Sequence, residues 1–60
     1  MPPEIGELVC SFTGTIGWIT TCKQKSFDVE FSTGYIHSYF SHMIDTYRRN
    51  MDHYHGNPNG

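Results

Sequence analysis

"SFDVEFSTGYIHSYF", residues 26–40, alternates apolar and polar side chains up to a Ser-Thr-Gly break and resumes beyond it. Phe27, Val29 and Phe31 fall on one face of an extended chain, with Asp28 and Glu30 on the other. That is the pattern of an antiparallel strand buried on one side. Residues 32–34 read as a hairpin turn, with Gly34 free to take a positive φ. "YIHSYF" is then the returning strand. The chain before this hairpin keeps the same period of two. In "IGELVCSF" (5–12) Leu8, Cys10 and Phe12 alternate with Val9 and Ser11. In "TIGWITTC" (15–22) Ile16, Trp18 and Thr20 share one face, opposite Gly17, Ile19 and Thr21. β-Branched and aromatic residues, which favour strands, are frequent throughout.

The period changes after residue 40. In "SHMIDTYRRNM" (41–51) Met43, Ile44, Tyr47 and Met51 stand at one-sided helical spacing. Ser41 is placed to cap such a helix, and Arg48 and Arg49 suit the negative end of its dipole. A 3₁₀ turn at 41–44 followed by a closing strand at 45–49 fits the same residues, and both forms stay open at this level.

Sixty residues make one domain, and nine aromatic rings supply its core. The prolines at 2 and 3 mark residues 1–4 as a lead-in segment, and "DHYHGNPNG" (52–60) has the composition of a flexible tail. The folded unit is expected over residues 5–51. Four basic and six acidic side chains leave a net charge of −2. Phosphate binding draws on clustered Lys and Arg, so this balance disfavours a nucleic-acid partner. Cys10 and Cys22 are too few to frame a disulfide scaffold and are expected as free thiols. The amino terminus has no basic and apolar leader pattern, and no apolar run nears the ~20 residues a bilayer requires. A cytoplasmic protein with no membrane contact is expected.

Four short antiparallel strands, with a terminal helical turn or a fifth strand, suggest a small all-β barrel, because closure hides the sheet edges. The glycine placement points the same way. "GELV" (6–9), then Gly14, then "GWI" (17–19), is similar to the KOW-type opening of SH3-like barrels. "VEF" (29–31), Gly34 and Ile44 resemble the later part of the pattern, as in Tudor-like barrels. The resemblance covers about residues 5–45 and implies an SH3-like barrel of four or five strands with a short C-terminal helical turn. It does not carry a ligand class, because KOW modules are usually basic and this chain is acidic.

Trp18, the sole tryptophan, is either a barrel-core or end-cap residue, as the small size of the domain favours, or an anchor for a protein partner. Tyr35, His37 and Tyr39 share one face of the returning strand, opposite Ile36, Ser38 and Phe40. If the second set points inward, the first is an exposed aromatic stripe suited to a protein partner or to stacked bases. If the tyrosine face points inward, Tyr39 is a core residue. Exposure of at least two of the three is expected. The alternative nucleic-acid surface would use Lys23, Lys25, Arg48 and Arg49, the whole basic supply of the chain.

His37, His42, His53 and His55 raise the question of zinc. Structural sites usually take four ligands with paired cysteines, and the two cysteines lie twelve positions apart, so no metal or other cofactor is expected. Nothing in the spacing pairs either cysteine with a histidine base, and a barrel of this size encloses little substrate space. The expectation is a non-catalytic protein-binding module or small accessory subunit. A homodimer is open to such a chain, since small barrels often bury an aromatic face against a copy of themselves.

Overall fold

The structure, a computed structural model, describes residues 1–55. Four strands follow in chain order: β1 (Leu8–Cys10), β2 (Ile16–Cys22), β3 (Ser26–Phe31) and β4 (Ile36–Phe40). A 3₁₀ turn (Ser41–Met43) then runs straight into helix α1 (Ile44–Asp52). Each strand pairs antiparallel with its predecessor, so the sheet is a meander with β1 and β4 as its edges. The segment after residue 40 is therefore helical and adds no closing strand. Ser41 does not cap the helix as its position suggested. Its N–H still donates to the Lys25 carbonyl at 2.9 Å, within the strand register, so the helix begins only from Met43 and has no side-chain cap.

Both outer hairpins close in the same way. In residues 11–15 the Ser11 N–H donates to the Thr15 carbonyl, and the Gly14 N–H returns to Ser11. In residues 31–35 the Phe31 N–H donates to Tyr35, and the Gly34 N–H returns to Phe31. Gly14 and Gly34 hold φ of 88° and 97°, a conformation costly for any residue with a Cβ. The shared Thr-Gly pair at 13–14 and 33–34 is the sequence signature of this loop.

The pairing register sorts side chains into two faces. Ile19, Val29 and His37 align across the strands on the inner face, as do Phe27 and Tyr39. Leu8, Trp18, Glu30 and Ile36 align on the outer face. A bulge at Thr20 interrupts this order, since Ile19 pairs with Val29 but Thr21 pairs with Asp28. Residues that pair share a face. Thr21 consequently passes to the outer side with Asp28, and does not continue the Gly17 and Ile19 face that strict alternation predicts.

Val9, Ile19, Phe27, Val29 and Phe31 form the sheet's contribution to the core, and Ile44 and Tyr47 of α1 complete it. A helix of nine residues is marginal on its own, so α1 is held by this packing. Gly17 lies where no side chain fits. A Cβ there would stand 2.8 Å from Phe31 Cδ1, 2.8 Å from Val29 Cγ1 and 2.9 Å from the Glu30 carbonyl oxygen.

Arg48 ties α1 to the lead-in segment. Its guanidinium donates to both carboxylate oxygens of Glu7 and to the Met1 and Pro2 carbonyls at 2.8 and 3.0 Å. That hydrogen bonding, opposed by burial, holds the Glu7 carboxyl below its ordinary value. A bidentate pair of this kind, about a quarter exposed, contributes about 1 kcal/mol.

Two outcomes follow from these contacts. Gly17→Ala should destabilise the domain by about 1–3 kcal/mol through overpacking, read as a lower midpoint in thermal unfolding. For Glu7, whose folded-state value is depressed, the added stability is present above its unfolded value near 4.5 and disappears as pH falls through the folded one. Urea midpoints should therefore drop on the acid side of that value. Glu7→Gln should lower the neutral-pH midpoint and flatten the acid limb.

Candidate functional site

The inner face of the sheet is longer than the helix that covers it. Tyr39, near the end of β4, lies under α1. Its ring centroid is 4.5 Å from that of Tyr47 and 5.8 Å from that of Phe27. Burial first, and the neighbouring Tyr39 hydroxyl second, push the Tyr47 phenol well above its ordinary value, so it stays protonated. Toward the 31–35 hairpin the cover ends. His37 and Tyr35 follow Tyr39 along the strand with centroid spacings of 6.2 and 6.0 Å, and both are exposed. Phe31 meets His37 and Tyr39 edge-on at 5.9 and 6.4 Å.

These rings form one wall of an open groove of about 310 Å³. The opposite wall is the 11–15 hairpin, which presents Ser11, Thr13 and Thr15, and Thr33 closes one end. The Ser11 hydroxyl organises that wall. It accepts the Thr13 and Thr15 amides at 3.2 and 3.0 Å and lies 2.8 Å from the Thr13 hydroxyl. One side of the groove is thus aromatic and the other carries fixed hydroxyls. Its volume matches one or two amino-acid side chains.

The tyrosine set occupies the inner face, so Ile36, Ser38 and Phe40 point outward and away from the core. Ile36 and Phe40 are 62% and 69% exposed. Trp18 is half-buried on the outer face, between Leu8 and Glu30, and is not joined to the aromatic groove. The sequence offered Trp18, Tyr35, His37 and Tyr39 as one partner surface; the fold divides them between two sides of the sheet.

The basic residues are dispersed in role. Arg48 is occupied by Glu7 and the lead-in carbonyls, with Asp45 at 3.7 Å. Lys23 and Lys25 are exposed beside the β2–β3 turn, and Arg49 is exposed on α1. None of the four lines the groove. A second concavity, about 570 Å³, lies at the lead-in segment; its polar lining is the mutually paired Glu7 and Arg48 together with Glu4.

Comparison with protein-family models, curated proteins and solved structures finds no match. The groove must therefore be judged on its own chemistry. Among the described residues no three His, Cys, Asp or Glu side chains stand together as a metal site. The proposed tail, 52–60, begins within the fold, because Asp52 ends α1 and the Tyr54 N–H bonds back to Met51; residues 56–60 lie outside the described residues. Both thiols are free, Cys10 buried and Cys22 exposed, and burial raises the Cys10 thiol so that it stays protonated at neutral pH. No described helix is long and apolar enough to cross a membrane.

Sequence reasoning did not find Phe31 or the hydroxyl wall as site residues. The repeated Thr-Gly pair was the available signal, since it places two like hairpins whose walls face one groove.

The two ends of the aromatic wall should respond differently to truncation. Tyr39→Ala, at the covered end, should cost about 2–4 kcal/mol in chemical denaturation. Tyr35→Ala, 68% exposed, should change stability by no more than about 0.5 kcal/mol.

Proposed function

We propose that this chain is a non-catalytic protein-binding module, acting as a small regulatory or accessory subunit through the groove of Tyr35, His37, Tyr39 and Phe31. The observation that carries this is the uncovered end of the inner face. Aromatic residues continue past the helix into solvent, where Tyr35 and His37 are exposed and lie outside the core cluster. Exposed aromatic side chains have few rotatable bonds and a large apolar area, which makes them effective interface anchors. The fixed hydroxyls of the facing wall add directional hydrogen bonding.

On this reading the sheet and helix are an SH3-like scaffold, supported by the glycine pattern and the meander order. Two free thiols suit a cytoplasmic setting. The alternative, a KOW-type module for RNA or DNA, has the stacking rings but lacks the cations. The groove wall holds no Lys or Arg, and Arg48 is already paired. Base stacking without phosphate contacts gives up the main source of affinity.

Affinity capture from the native cell, quantified by mass spectrometry, tests the reading. Wild-type protein should retain a partner that Tyr35→Ala and His37→Ala both lose by at least tenfold while keeping wild-type unfolding midpoints. Equal retention by both variants would move the interface elsewhere. Salt-dependent binding of a labelled oligonucleotide, lost on Lys23→Ala/Lys25→Ala substitution, would favour the nucleic-acid alternative.

A further inference from the structure

The two edges of the sheet are treated differently by the rest of the chain. Along β1 the outward Cys10 carbonyl accepts from the Asn50 side chain at 3.1 Å, and α1 packs against the strand. Along β4 nothing comparable is present among the described residues. The Phe31–Tyr35 and Ser41–Lys25 bonds flank the β3–β4 ladder and fix its phase. In an antiparallel ladder, hydrogen-bonded and non-bonded pairs alternate. His37 and Tyr39 therefore face β3 with their main-chain groups, while those of Ile36, Ser38 and Phe40 point away from the sheet.

Edge strands are normally blunted by lysine, proline, a bulge or an inward-pointing charge. β4, "IHSYF", has none of these. Its outward side chains at either end are apolar, and Ile36 and Phe40 are among the most exposed large hydrophobic residues of the chain.

We propose that β4 pairs antiparallel with β4 of a second copy of this chain, about a two-fold axis at Ser38, joining two four-stranded sheets into one of eight. The strand is self-complementary in this register. Ser38 meets Ser38 of the second copy, and Ile36 meets Phe40 twice on the outer face. Pairs of an aromatic with a β-branched residue are among the favourable cross-strand combinations. Ser38 N–H donates to the opposing Ser38 carbonyl, and Phe40 N–H to the opposing Ile36 carbonyl. With the reciprocal bonds this makes four. Phe40's own carbonyl is committed to the first turn of the 3₁₀ segment, for which Phe40 is the N-cap.

A shift of two residues in one direction sets Phe40 against Gly34 and Ile36 against Ser38. A shift in the other direction sets Ile36 against His42. Either shift loses the apolar pairs. Charge does not oppose the chosen register. The closest outer-face carboxylate, Asp28, accepts from its own Ser38 hydroxyl at 2.5 Å. It would lie three strand spacings, about 14 Å, from its counterpart, beyond the Debye length of about 8 Å. A single five-residue edge buries less than the ~800 Å² per partner of a standard interface, so association is expected in the micromolar range. The pairing does not rest on the groove as a binding site, because the groove opens on the other face.

Sedimentation equilibrium over about 10 µM to 1 mM should show the 6.9 kDa chain passing to twice that mass. Amide exchange of Ile36, Ser38 and Phe40 should slow over the same range. Ile36→Lys and Phe40→Glu, each at an exposed position, should weaken dimerisation at least tenfold. The double variant Ile36→Lys/Phe40→Glu should regain it, because each lysine then faces a glutamate of the other copy. A chain that stays monomeric at all concentrations overturns the proposal, as does a dimer with unprotected β4 amides or one insensitive to the single substitutions. Rescue failing in a folded double variant overturns the register.

Discussion

Tyr47 packed against Tyr39 is the contact on which the arrangement depends. A four-stranded meander has one apolar face that must leave water, and among the described residues a helix of nine residues, with Met43 just before it, covers that face. Ile44 and Tyr47 are the side chains that α1 commits to the core, and Tyr47 reaches the aromatic row where β4 ends. The placement of Tyr47 therefore marks where the cover over the inner face ends and the groove begins.

The same constraint explains the division of labour between the ends of the molecule. Arg48 lies on the helix that provides Tyr47 and binds the carbonyls of the first two residues together with Glu7. This ionic clamp fixes one end of α1's packing surface on the β1 side. At the opposite side of the sheet β4 receives no such support beyond Tyr39. Order is concentrated at β1, and accessible main chain and aromatic surface at β4.

The sequence made the central strands legible because β2 and β3 are buried on one face only. Phe27, Val29 and Phe31 reveal themselves by alternation, and the Ser-Thr-Gly turn follows from the φ that Gly34 adopts. The helical continuation was one of two forms compatible with residues 41–51. Its start could not be placed because Ser41 is still a strand residue by hydrogen bonding and a helix-former by composition. The faces of β4 were illegible for a physical reason. Both sets of alternate residues contain aromatic side chains, so period two alone cannot choose between them. The bulge at Thr20 leaves no mark in a run of Ile-Thr-Thr-Cys, where either register presents the same side-chain types. The groove itself depends on how two hairpins twist toward each other, which no single strand encodes.

The like hairpins at 11–15 and 31–35 have a consequence for how such a surface changes over time. Each loop is closed by its own two main-chain bonds and its own left-handed glycine, so its interior residues are not needed to hold the sheet. Thr13 and Thr33, which line the groove, are such positions. Drift at these sites can reshape the groove while Phe27, Val29 and Tyr47 keep the domain folded. Phe31 and Tyr39 serve both the core and the groove wall, whereas the loop threonines shape the groove alone and are the positions free to vary.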